Sequence, residues 1–338
     1  MLWNRILGTA SLLVLFPLCL GAASRSAPKF SLDTRTLTPA EKFVLEQVAA
    51  GKSANLKSQF SDETNLVLRG AFLEALLTQH ATNVHRNGVS IEYATVLDAI
   101  DLRNAAVRYE VNLVECRFLA EVNFSKSLFE NSLSLASSTF QRPVGFSAMK
   151  IGRAATFDRA SFGAEVNAAQ MEVTGVLSAR ETHFNSRTGA VDFTSLKVTG
   201  DAFFTRATFA GPVTFQYAHL AENWRFDQSA FTNPAALVNF EAVKVGATTS
   251  FSEARFAGYV SFKDARFAAL DFSKVHWPVT HADHAWLWLN GMTYQRINAG
   301  SEKESWQNLH SLVQRTAHKS AYSADIYATL DDYYRRLG

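Results

Sequence analysis

From Val89 to Phe272, large apolar residues recur at alternating steps of five and six. The run reads Ile91, Val96, Leu102, Val107, Leu113, Phe118, Phe124, Phe129, Leu135, Phe140, Phe146, Ile151, Phe157, Phe162. It weakens at Ala168, Val173 and Ala179 and resumes at Phe184. Three extra residues precede Phe193, Val198, Phe204, Phe209, Phe215, Leu220, Phe226 and Phe231, and three more precede Phe240, Val245, Phe251, Phe256, Phe262, Phe267 and Phe272. No position of this lattice is polar. A fixed internal period points to a stacked architecture.

Eleven residues is also a coiled-coil period. The residue two before each lattice position excludes that alternative. It is either a larger apolar residue (Val111, Val122, Val144, Val213, Val260) or a small one (Ala105, Ala155, Ala160, Ala207, Ala254, Ala265). Apolar residues at i−2 and i share one side only in extended backbone, where side chains alternate. The Phe, Val and Thr content also favours strands. Short strands that each point two side chains inward must wind round a common axis, and four faces give a coil of 22 residues. The two insertions agree with that count, because Phe184 and Phe231 lie 47 residues apart, two coils plus three. The 33 lattice positions make about eight coils, or about 40 Å of stacked strands.

Stretches such as ATFAGPVTFQYAHL and EARFAGYVSFKDARF resemble the Phe-rich branch of the pentapeptide-repeat family over residues 89–272. That resemblance implies a right-handed quadrilateral β-helix, an all-β solenoid. The extra residue in alternate faces departs from the simplest five-residue form. The flanks NLVLRGAFLEALL, LNGMTYQRI and YSADIYATLDDYYRRLG resemble a bacterial subfamily. Some of its members carry C-terminal membrane helices and the label "membrane-associated oxidoreductase". No motif in this chain supports redox chemistry.

The expected organisation has five parts. Residues 1–23 read as a secretory signal peptide, with Arg5 before an apolar run from Ile6 to Leu20 and small residues at Gly21-Ala22-Ala23. The run is shorter than the roughly 20 residues of a membrane span. Residues 24–37 read as a flexible linker. Residues 38–88 form a helical N-terminal cap. The capping box Thr38-Pro39-Ala40-Glu41 opens a helix to about Ala50, and a second amphipathic helix is expected from Glu63 to Gln79. Residues 89–275 are the β-helix. Residues 276–338 are a Trp-rich helical C-terminal cap. Its helices are expected at Ala282 to Leu289, after Ser301-Glu302-Lys303-Glu304 and after Ser323. The caps are needed because a stack of strands has open edges.

The nine phenylalanines expected deepest in the core are Phe124, Phe146, Phe157, Phe204, Phe209, Phe215, Phe251, Phe256 and Phe262. Catalytic and cofactor-binding residues are not expected. The sequence has no Gly-rich phosphate loop, no paired-cysteine motif and no HExxH. The strongest metal candidate is His276, His281 and His284 beside Asp283, and these histidines read better as surface residues of the cap. His183 and His219 read as solvated turn residues. With the signal peptide removed, Cys116 would be the one remaining cysteine, buried and without a disulfide partner.

Residues 89–272 carry 19 Asp and Glu against 17 Lys and Arg, a net of −2. That is far from the charge of duplex DNA, about one per 1.7 Å. The gyrase-binding DNA mimicry known for some quinolone-resistance pentapeptide proteins is therefore not expected, nor is a nucleic-acid partner. The function expected is a non-enzymatic exported scaffold of the bacterial envelope, periplasmic or secreted, that binds another protein. No small-molecule substrate or cofactor is expected. Membrane association through a retained N-terminal segment is the alternative. The insertions Asn185–Gly189 and Thr232–Ala236 are expected on one face, two coils or roughly 10 Å apart.

Overall fold

In the computed structural model, Leu32 and residues 35–79, 83–278, 286–300, 305–314 and 324–337 are described. The expected signal peptide and most of the expected linker lie outside them. The remainder is a parallel β-solenoid of about eight coils with helices at both ends. Most strands are two residues long, too short to be stable alone. Each is held by parallel pairing to the coils before and after it. The register is 22 residues, as in Val122↔Val144, and 25 across each insertion, as in Val166↔Val191 and Val213↔Val238.

The four faces are named here by one coil's lattice residues: Phe209, Phe215, Leu220 and Phe226. The Phe209 face and the Phe215 face are separate nine-stranded sheets. The other two faces share one seventeen-stranded sheet. In the last coils the corner between them straightens into continuous strands, Lys244–Ser250, Arg266–Asp271 and Thr293–Asn298.

Alternation of five and six residues reflects two kinds of corner. Within the five-residue steps, seventeen non-glycine residues have φ between 53° and 61°, among them Tyr93, Asn104, Ala148 and Arg159. Left-handed backbone costs an L-residue about 1–2 kcal/mol, so the coil must hold it in place. All of these amides from Tyr93 to Asp264 donate to a carbonyl of the next coil, as Ala148 N does to Ala169 O at 2.7 Å. On the Phe215 face, outward Asn, Asp, Ser and Thr side chains also accept the N–H two residues on. Examples are Asn123 from Ser125 N (3.0 Å) and Asp192 from Thr194 N (2.8 Å). No β-branched residue occupies any of the seventeen positions. We expect Ala148→Gly to stabilise the protein by about 0.5–1 kcal/mol and Ala148→Val to destabilise it by more. Denaturant melts of the two variants check this, and equal effects would contradict it.

Inside, the lattice residues form columns. Along the Phe209 face the rings of Phe118, Phe140, Phe162, Phe184, Phe209, Phe231 and Phe256 stack in turn, with centroids 4.7–5.2 Å apart and planes within 10°. That is the strand spacing, about 4.8 Å, repeated by the rings. Shorter stacks run through Phe193, Phe215, Phe240 and Phe262, and through Phe204, Phe226 and Phe251. All nine of the named core phenylalanines are buried. The coil holding Ala168, Val173 and Ala179 has small lattice residues, and its inner i−2 positions are large instead. Met171 and Leu177 are fully buried there, as is Met149 one coil earlier.

The N-terminal cap differs from expectation. Helix α1 (Pro39–Ala49) carries the capping box of Thr38 and Glu41. The expected helix from Glu63 to Gln79 is broken. Glu63–Leu66 is a 3-10 turn, Val67–Leu68 is a strand, and only Gly70–Thr78 is α-helical. The reason is tertiary: Val67–Leu68 pairs with Thr95–Val96, and Ala54–Asn55 with Ile91–Glu92. The cap thus adds strands to two faces. A short helix α2 (Leu56–Gln59) links the two strands' segments, and α3 (Gly70–Thr78) covers the Phe215 face, burying Phe72, Leu73, Leu76 and Leu77.

The C-terminal end also extends the sheets. Leu287–Trp288, expected to be helical, pairs with Val260–Ser261, and Thr293–Asn298 pairs with Arg266–Asp271. Trp277 continues the Phe209 column by stacking on Phe256 at 5.2 Å and contacts Trp286 at 5.7 Å. Helices α4 (Ser305–Gln314) and α5 (Ala324–Leu337) close this end. They bury Leu309, Leu312, Val313 and Ile326. Asn308 Nδ2 donates to Ala299 O (2.8 Å) and Tyr333 OH to Ile297 O (3.2 Å), so helix side chains satisfy carbonyls at the sheet end. The capping box expected at residues 301–304 and the helix cap expected at Ser323 lie outside the described residues.

Candidate functional site

The outward residue of each rung forms a row along its face, because side chains of a strand alternate. On the Leu220 face the row runs Lys150, Glu172, Lys197, His219, Lys244, Arg266, Thr293, paired rung to rung. Glu172 bridges its two neighbours, 3.2 Å from Lys150 Nζ and 3.0 Å from Lys197 Nζ. These lysines hold the Glu172 carboxyl below its usual range by hydrogen bonding, Lys197 first. Beyond Lys197 the alternation of sign stops. His219, Lys244 and Arg266 follow without an acidic residue between them, and all three are exposed. Among the described residues neither Lys244 nor Arg266 has an ion-pair or side-chain hydrogen-bond partner. Like charges on neighbouring rungs repel.

Above this stretch lies α5, whose inner side carries Ile326, Leu330 and Tyr333 against the core. The Tyr333 and Tyr294 rings meet edge to face at 5.5 Å. Burial pushes the Tyr294 hydroxyl far above its usual range. Arg336 Nη2 donates to Tyr294 O at 3.2 Å, and Arg335 pairs with Asp331 at 2.8 Å. Between α5 and the wall is an open cleft of about 870 Å³. Its floor includes His219, Lys244 and Arg266. Its roof includes Asp332, Arg335 and Arg336. This cleft was not anticipated from the sequence. The broken alternation at His219 is its only signal, and that signal needs the register to be visible.

A second feature joins the two insertions. Both leave the corner between the Phe209 and Phe215 faces, two coils apart. Asn233 Nδ2 donates to Arg187 O at 3.3 Å, so the loops touch. They lean over the following coil. A Cβ on Gly211 would lie 2.4 Å from Ser186 O, and one on Gly258 would lie 2.4 Å from Asn233 O. Glycine at these two positions therefore lets each loop lie flat. The result is one low ridge, where two separate protrusions were expected.

The remaining candidates are dispersed. His276 is exposed and bridges Arg255, while His281, Asp283 and His284 lie outside the described residues. Among the described residues no group of three His, Cys, Asp or Glu is placed to hold a metal ion. His183 and His219 sit on strands, pointing outward, and not in turns. His183 Nδ1 is 2.7 Å from Thr208 Oγ1. Cys116 is buried, and burial pushes its thiol up to about 12. Its place is an inner packing position.

No protein-family model, curated protein or solved structure matches the chain.

Proposed function

We propose that this chain is an exported, non-enzymatic scaffold of the bacterial cell envelope, of the pentapeptide-repeat kind, that binds another protein through its outer wall. The observation carrying this reading is the division of labour across the wall. The interior holds stacked rings, and the polar and charged groups stand in fixed rows outside, beside an open cleft. A rigid wall lowers the ordering cost of binding, and solenoids offer such surfaces along their length. No helix among the described residues is long and apolar enough to cross a membrane. The positive row under α5 is opposite in sign to a DNA mimic. Membrane tethering by a retained N-terminal segment remains the alternative location.

Photo-crosslinking in the native host tests this. A crosslinking residue is placed at Arg187 or Asn233 on the ridge, or at His219 in the cleft. The expected result is a discrete protein adduct from at least one position, on a chain whose intact mass lacks residues 1–23. Absence of protein adducts at all three positions would overturn the scaffold reading. A mass that retains residues 1–23 in a membrane fraction would favour tethering.

A further inference from the structure

We propose that the cleft under α5 is a docking groove for an extended acidic segment of a partner protein. This rests on the scaffold reading and gives it a site and a chemistry. The cations lining the groove come from both sides, Lys244 and Arg266 from the wall beside His219 and Arg336 from α5. Lys244 and Arg266 stand on adjacent rungs, about 4.8 Å apart, with no ion-pair partner among the described residues. Upstream on the same row, Glu172 neutralises Lys150 and Lys197. Along this row, positive charge is thus left open where the groove lies.

The shape fits a peptide. Gly246 and Ala268, each just after a lattice residue of the Leu220 face, keep the floor low beside the two cations. A main chain can approach the wall there. Carboxylates two residues apart on an extended chain are about 6.8 Å apart, within reach of a Lys arm and an Arg fork on neighbouring rungs. Guanidinium groups bind carboxylates in a bidentate manner. Asp332 in the roof argues against a nucleic acid, whose backbone brings about one charge per 1.7 Å. An Asp carboxylate repels that density, while a peptide offers N–H groups to it. The basic row also ends at Lys197–Glu172, whereas a nucleic-acid track would continue.

The test uses the full chain and a fluorescent peptide of alternating Glu and Ala, read by anisotropy. The expected result is binding that weakens on raising salt to about 0.15 M. The double variant Lys244→Glu/Arg266→Glu should lose at least about tenfold in affinity. Its melting temperature should be unchanged, since both side chains are exposed. A Gln/Ala peptide should not bind. Undetectable binding of the acidic peptide, or equal affinity in the double variant, would overturn the proposal. Tighter binding of oligo-dT than of the acidic peptide would reassign the groove to nucleic acid. The two readings fail separately. If the double variant still crosslinks its partner in the host, the scaffold stands and this groove falls. If the peptide binds as expected but no host protein is captured, the groove stands and the scaffold falls.

Discussion

Phe215→Asp is expected to abolish folding. Phe215 is fully buried and stacks between Phe193 at 5.0 Å and Phe240 at 5.4 Å, with Trp224 at 5.1 Å and Phe226 at 5.4 Å edge-on. Losing the ring costs about 3–5 kcal/mol. Placing an unpaired carboxylate there costs several more. The sum reaches the whole stability of a typical domain, about 5–15 kcal/mol. A solenoid has a further weakness, because each coil is held only by its neighbours. A broken coil at Phe215 therefore separates two halves that each expose an open sheet edge. Far-UV circular dichroism with gel filtration reads the outcome. A soluble Phe215→Asp protein with an unchanged spectrum and a cooperative melt would contradict the core described here. Phe215→Leu, which nearly keeps volume and polarity, should cost less than about 1.5 kcal/mol.

The core was legible in the sequence because the same demand recurs at every coil. One large inward side chain per face repeats until chance is excluded, and two equal insertions 47 residues apart fix the coil length. The caps were less legible because their pairing is non-local. Leu66, Leu73, Leu76 and Leu77 have helical spacing, yet Val67–Leu68 pairs with Thr95–Val96 and interrupts the helix. Backbone pairing to an open sheet edge outweighs a local period. The same edge demand turns Leu287–Trp288 into a strand at the other end. The cleft was not legible at all. An outward position accepts almost any polar residue, so Lys244 and Arg266 look ordinary until register places them on adjacent rungs below α5. The ridge was half legible, since its common corner follows from spacing and the Asn233–Arg187 contact does not.

Arg69→Met should destabilise the protein by about 3 kcal/mol at neutral pH, and the loss should shrink in acid. Glu41, in the first turn of α1, has a fully buried side chain. Arg69 precedes α3 and donates Nε to Glu41 Oε1 at 2.8 Å and Nη2 to Oε2. Thr38 N donates to Oε2 at 3.0 Å and Arg69 N to Oε1 at 3.3 Å. This one carboxylate therefore ties α1 to the strand and helix that cover the first coil. Burial alone would raise its pKa, but the hydrogen bonds from Arg69 and Thr38 outweigh burial and hold it below 4.5. A group with a lowered folded pKa contributes stability above its unfolded value and loses it as pH falls through the folded value. Removing the Arg69 side chain takes away the largest lowering interaction and leaves two backbone N–H donors against burial. The folded pKa therefore rises, and the stability that the carboxylate contributes above its unfolded value shrinks. Breaking a buried pair costs about 3–5 kcal/mol. The lower end applies because Arg69 is 38 % exposed and two backbone N–H donors remain. Urea melts of wild type and variant should differ most near pH 7 and converge below about pH 4. The double variant Glu41→Gln/Arg69→Met should recover much of the loss, since the stranded charge is gone. A penalty that is constant from pH 7 to pH 4 would show that Arg69 acts through packing alone and that Glu41 does not need its counter-charge.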